Sequence, residues 1–168
     1  MEATTTSIPR RTALTVAVLA VLFAGLTVLL EAVFHLPLKL PGHRALPGAV
    51  ALVLFAEAAP PLLLLAFSAV VPLAVFALGG GPVWIVAPWL ALAVLLVGLR
   101  DARWRKATWF LAVAGLLFGA LRAGVLSIEV HHTPSVLRWA GHMGFGAAGG
   151  LLAALLRRIG EPRAESGR

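Results

Sequence analysis

Arg100-Asp-Ala-Arg-Trp-Arg-Lys106 is the segment on which the fold turns. It is a charged island between two apolar runs, Val83 to Leu99 and Ala107 to Ile128, each close to the ~20 residues a helix needs to cross hydrocarbon. Only 12% of the chain is charged, so four basic residues within these seven positions mark a loop. The side of a membrane on which that loop lies fixes how many crossings precede and follow it.

Working outward, Ala13 to Leu30 follows Arg10-Arg11 and is eighteen residues long, longer than a secretory h-region and without a small-residue cleavage site, so it is expected to remain as a helix. Leu36 to Gly48 (LPLKLPGHRALPG) interrupts the helical pattern, because each proline removes a donor and restricts the residue before it. From Ala45 to Leu78 there are thirty-four residues, too many for one span and enough for two short ones joined at Pro60-Pro61. Gly79-Gly80-Gly81-Pro82 is a turn, and Glu129 to Pro134 joins the last two runs. The expected spans are 12–35, 45–59, 61–78, 83–99, 107–128 and 135–156, with a basic tail over 157–168, all in one integral membrane domain, 1–168.

With six spans and a cytoplasmic N-terminus, ten of the fourteen Lys and Arg fall on one side and only Lys39 and Arg44 lie in opposite loops. Five spans would place either the Arg100 loop or the tail on the wrong side of the positive-inside rule. The expectation is therefore an all-α, polytopic six-helix bundle in the inner membrane with both termini cytoplasmic. Trp104 and Trp109 fall near its inner boundary, and Trp84 and Trp139 near the outer one.

Composition agrees. Hydrophobic residues make up 60% of the chain and mean hydropathy is +0.95. Adding the 17 glycines brings the apolar share to about 70%, against ~45–50% in soluble domains. The net charge of +7 is accounted for by topology rather than by nucleic-acid binding. Cysteine is absent, which excludes disulfides, thiolate metal sites and thiol nucleophiles.

The residues left to carry function are ionisable groups inside or at the rim of spans. Arg122 and Arg138 need partners, since a charge at mid-helix costs ~2.5–3.5 kcal/mol on the insertion scale. Gly115, Gly119, Arg122, Leu126 and Glu129 share one helix face, and Arg138, His142, Gly146 and Gly149/Gly150 form a stripe on the sixth span. Both patterns predict a pair packed tightly through glycine at its cytoplasmic half and opening into a polar pocket at its outer half. Glu31 and His35 lie one turn apart at the outer end of the first span, and His43 and Arg44 lie in the loop expected to act as a lid. The expected ligand is a small polar, anionic solute, held by Arg122 and Arg138 with His142, Glu31, His35 and Glu129 as orienting groups. Structural ion pairs, Glu31 with Arg122 or Glu129 with Arg138, are the competing reading, in which the chain is a non-catalytic membrane subunit or scaffold. Metal binding by the histidines is a further alternative. His131-His132 adjacency does not put two imidazoles on one helix face, and neither a metal nor a cofactor is expected.

This layout resembles the substrate-binding S component of an energy-coupling factor (ECF) transporter: six helices, a long first outer loop over an external pocket, and small residues at four-residue spacing on the first helix. Here those residues are Ala13, Ala17, Ala20 and Ala24. The resemblance implies that they dock on a transmembrane coupling protein driven by ATPase subunits, and that the chain is not itself an enzyme. His142-Met-Gly-Phe-Gly146 resembles the sixth helix of rhomboid proteases. Ser68 and Ser127, however, lack a Gly-x-Ser-Gly setting, so that resemblance implies at most an inactive relative.

Overall fold

The computed structural model describes residues 10–32, 42–79, 82–130 and 135–160. Among the described residues the chain is all-helical, with six α-helices: α1 (Arg10–Ala32), α2 (Ala45–Ala58), α3 (Pro61–Ala77), α4 (Val86–Gly98), α5 (Thr108–Val130) and α6 (Val136–Gly160). Short 3-10 turns precede α4 (Val83–Ile85) and α5 (Arg103–Lys106).

Proline sets several of these boundaries. Pro60 forces Ala59 into an extended conformation (φ −102°, ψ 150°), which ends α2. Pro61 then opens α3 in its first turn, where a missing N–H costs nothing. Pro88 likewise falls in the first turn of α4. Pro72 lies inside α3, and its ring leaves the Ser68 carbonyl without the usual helical donor. At the other end of the chain, α6 continues through Arg157 and Arg158 to Gly160, so the stretch expected as a basic tail begins inside the helix. Cations in the last turn favour the helix by complementing its dipole, so charge here ends the apolar span without ending the helix.

Two helices, α5 over Thr108–Ser127 and α6 over Val136–Ile159, are long and apolar enough to cross a membrane. Outward-facing large apolar side chains occur on every helix except α2, among them Val21 (α1), Leu62 (α3), Val94 (α4), Val113 (α5) and Leu155 (α6). The shortest apolar helix but one, α2, is the buried centre of the bundle: Ala45, Ala49, Leu52 and Val53 have almost no exposure. Uniform hydrophobicity around a helix is the mark of such a position.

Aromatic rings run through the core from helix to helix. Phe23 stacks on Phe55 (5.8 Å) and Phe55 on Phe67 (4.2 Å), while Trp89 lies 6.1 Å from Phe67 and meets Phe118 edge-to-face at 5.7 Å. These contacts join α1, α2, α3, α4 and α5. Trp89 is fully buried, and its Nε1–H has no acceptor among the described residues. Trp89→Phe removes that orphan donor while keeping a ring, and is expected to change stability by less than about 1 kcal/mol. Trp89→Ala should cost about 3–5 kcal/mol. Thermal unfolding of the two variants in detergent checks this, and equal losses would mean that the indole N–H matters more than the ring.

Candidate functional site

The site is built on the antiparallel contact of α5 with α6, the most extensive between any two helices. A Cβ on Gly115 would overlap the Gly146 carbonyl, one on Gly119 the His142 carbonyl, and one on Gly150 the Leu111 carbonyl. Backbone therefore lies on backbone over about two and a half turns. The close approach reaches toward the start of α6 as far as His142, further than the expected opening at mid-helix, and first relaxes where Gly124 meets the Trp139 ring at 3.7 Å.

Arg122 projects from α5 one turn beyond Gly119 and is 2% exposed. Its Nη1 and Nη2 donate to Oε1 and Oε2 of Glu31, both at 3.0 Å, in a forked pair. Glu31 is 1% exposed. Room for this carboxylate comes from Gly48 of α2, whose Cβ would stand 2.7 Å from Glu31 Oε1 and 2.9 Å from Phe118 Cε1. The pair thus ties α1 to α5 across the first turn of α2. Parallel charge-assisted bonds of this kind are strong, and each partner offsets the other's burial. The remaining buried hydroxyls are satisfied within their own helices, Thr27 by Phe23 O (2.8 Å) and Ser68 by Leu65 O (2.9 Å).

His142 is nearly buried, and its Nδ1 lies 2.9 Å from the Arg138 carbonyl. A carbonyl only accepts, so Nδ1 carries a proton and Nε2 is the ring nitrogen left for other chemistry. Gly42 rests on the main chain of Gly141 and His142 with φ +87°, a conformation and a contact that exclude any Cβ. From Gly42 the chain turns through His43 and Arg44 into α2, with Ala45 N donating to Gly42 O at 2.8 Å. Gly149 of α6 faces Leu46 O and Ala49. The start of α2 is therefore alongside the middle of α6, and Gly42 sits about 9 Å along α6 from its first residue at 1.5 Å per residue.

The structure brings together Glu31, Arg122, His142 and the backbone of Arg138, and seats the Gly42–Arg44 turn beside them. The Arg138 side chain is half-buried. His35, His131, His132 and the side chains of Glu129, Ala13 and Ala17 lie outside the described residues, as do residues 36–41 of the expected lid. Two placements bear on the expected roles. Both Nη groups of Arg122, expected to hold an anionic solute, are bonded to Glu31. Ala20 and Ala24, expected to face a partner, are half-buried against the protein's own core beside Phe23. Small side chains at those positions let α1 approach the bundle, and its outward face carries Val18, Val21, Leu22 and Leu29 instead.

Sequence reasoning missed Gly48 as the cradle of the carboxylate and the placing of α2's first turn beside mid-α6. The available signals were Pro47-Gly48 within an apolar run and the shortness of that run. Among the described residues no three His, Asp or Glu side chains gather as metal ligands. No family model, curated protein or solved structure matches the chain.

Proposed function

We propose that the chain is a six-span inner-membrane bundle with both termini in the cytoplasm, and that it captures a small polar, anionic solute from the outer side for uptake, in the manner of an S component. The observation that carries this reading is the seating of the Gly42–Arg44 turn on His142, beside the buried Glu31–Arg122 ion pair. Elements far apart in sequence converge there, and polar groups converging in an apolar surround are the usual form of a small-molecule site. Glu31 and Arg122 form a neutral wall. Arg138, half-buried and one turn from His142, supplies the positive charge for the solute, and His142 Nε2 orients it. A transmembrane coupling partner with ATPase subunits would meet the exposed leucines and valines of α1.

Purified protein heated with a panel of water-soluble carboxylates and phosphates tests this. At least one should raise the melting temperature, and Arg138→Gln should weaken its binding about tenfold or more, the loss expected for a charge-assisted hydrogen bond. If no probe stabilises the protein, or Arg138→Gln leaves the stabilisation intact, the solute reading fails.

The second reading, a non-catalytic membrane subunit, is favoured by one specific observation: both Nη groups of Arg122 are bonded to the two carboxylate oxygens of Glu31. On that account the polar centre only clamps α1 to α5. A protein unresponsive to the whole panel that co-purifies with other membrane helices supports it.

A further inference from the structure

Positive charge gathers at the end of the bundle away from His142. Residues 100–106 hold four basic side chains, and α6 closes on Arg157 and Arg158. The acids brought to the same end are Asp101 and, near the close of α2, Glu57. With each of these set against one cation, four positive charges remain in excess, whatever the individual pairings. The last eight residues add two charges of each sign and leave that excess unchanged.

The excess lies against an aromatic platform. Trp104, in the turn before α5, stacks on Trp109 of the first turn of α5 with ring centroids 5.8 Å apart, and Phe110 meets both edge-on at 4.8 and 6.1 Å. Phe110 is buried and fixes the stack from beneath, while both indoles are exposed. Arg158 Nη2 donates to Thr108 Oγ1 at 3.0 Å, which ties the last turn of α6 to the residue before Trp109. Arg103, the neighbour of Trp104, is exposed, as is Arg158. Two guanidinium groups thus flank one stacked pair of indoles.

We infer that this surface binds an anionic phospholipid, its phosphate drawn to Arg103 and Arg158 and its glycerol and upper chains against the Trp104–Trp109 stack. Depth selects a lipid over a soluble anion. Trp109 opens the apolar stretch Thr108–Ser127, so the platform stands where hydrocarbon gives way to charge, and the exposed Val113, Leu155 and Ile159 adjoin it along α5 and α6. An indole, apolar over its face and a donor at its N–H, suits that depth. The anion found there is a lipid phosphate, to which arginine offers a fork of N–H donors. Each basic residue near such a boundary strengthens the attraction of anionic lipid about fivefold. The inference rests on α5 and α6 crossing the bilayer and is independent of what the polar centre binds.

Purified full-length protein in detergent, given equimolar phosphatidylglycerol and phosphatidylcholine, is read by native mass spectrometry. Phosphatidylglycerol should be retained about tenfold or more over phosphatidylcholine, and Arg103→Gln and Arg158→Gln should each lower that preference about fivefold. Phosphatidylglycerol carrying a diazirine close to its head group locates the site in the unaltered protein, so the result does not depend on any variant folding. Label should fall on residues 103–109 and 155–159, about fivefold above Val136 and Leu137, which are exposed at the other end of α6. Equal retention of the two lipids, a preference unchanged in both variants, or label spread evenly over the two ends overturns the inference. Displacement of the lipid by millimolar glycerol phosphate also overturns it, since the surface would then take a soluble phosphate. A protein that stays monodisperse without detergent or lipid overturns the membrane-spanning reading, and the inference with it.

Discussion

Arg122→Leu is expected to cost about 3–5 kcal/mol of stability, because it leaves the Glu31 carboxylate 1% exposed with no counter-charge. Glu31→Leu should cost a similar amount by stranding the guanidinium. The Glu31→Leu/Arg122→Leu double variant should recover most of the loss, since replacing a buried pair by apolar groups of similar volume is often neutral or better. The asymmetry between single and double variants is the signature of a sealed pair. Unfolding in detergent followed by circular dichroism measures it, and single variants within about 1 kcal/mol of the parent would mean a wet, weakly coupled pair. The double variant also separates structure from function. In it, on the proposed solute-capture reading, stabilisation by the solute through Arg138 should persist, because that reading makes the pair a wall of the site and not its anion holder.

The second large effect lies in the glycines between α5 and α6. Gly119→Leu is expected to cost at least about 3 kcal/mol, at the severe end of overpacking, because the atom it strikes is the His142 main-chain carbonyl and no rotamer change can move it. Gly115→Leu should behave alike against Gly146 O. Helix propensity gives the opposite sign elsewhere. A Cβ on Gly25 or Gly144 meets nothing within 4 Å, so Gly25→Ala and Gly144→Ala should each be neutral or stabilise by up to about 1 kcal/mol. Chemical denaturation of the four variants distinguishes the classes. Equal effects across all four would contradict backbone-on-backbone packing and leave propensity as the sole determinant.

The helices were legible because apolar runs and proline or glycine breaks are strong, local signals. Six such runs give six helices, with α3 beginning at Pro61 and α4 preceded by a turn at Pro82. The Glu31–Arg122 pair was legible for a different reason: a buried arginine must find a carboxylate, and few were available. What remained hidden depends on direction and depth. Ala20 and Ala24 mark a small-residue face, but spacing alone does not say whether that face meets a partner or the chain's own Phe23–Phe55–Phe67 stack. The seat of α2 beside mid-α6 is set by contacts of Gly42 with His142 and of Gly149 with Leu46, which join residues about a hundred positions apart. No periodicity within α2 announces them, since that helix is apolar apart from Glu57. The reach of glycine packing to His142 was underestimated because Gly119 faces a non-glycine residue through its backbone alone.

The proposed capture of a solute from outside requires that the Glu31–Arg122 and His142 end of the bundle faces outward and the Arg100 loop inward. The chain contains no cysteine, so any introduced thiol is the only one present. Leu78→Cys, Asp101→Cys and Ser135→Cys each replace an exposed residue at the end of a helix or in a loop. The direct measurement is labelling of the three single-cysteine proteins with a membrane-impermeant maleimide, in intact cells and after permeabilisation. The six-span account predicts that the thiols at 78 and 135 react in intact cells and the thiol at 101 reacts only after permeabilisation. A thiol at 101 that reacts from outside, or one at 135 that does not, would contradict it.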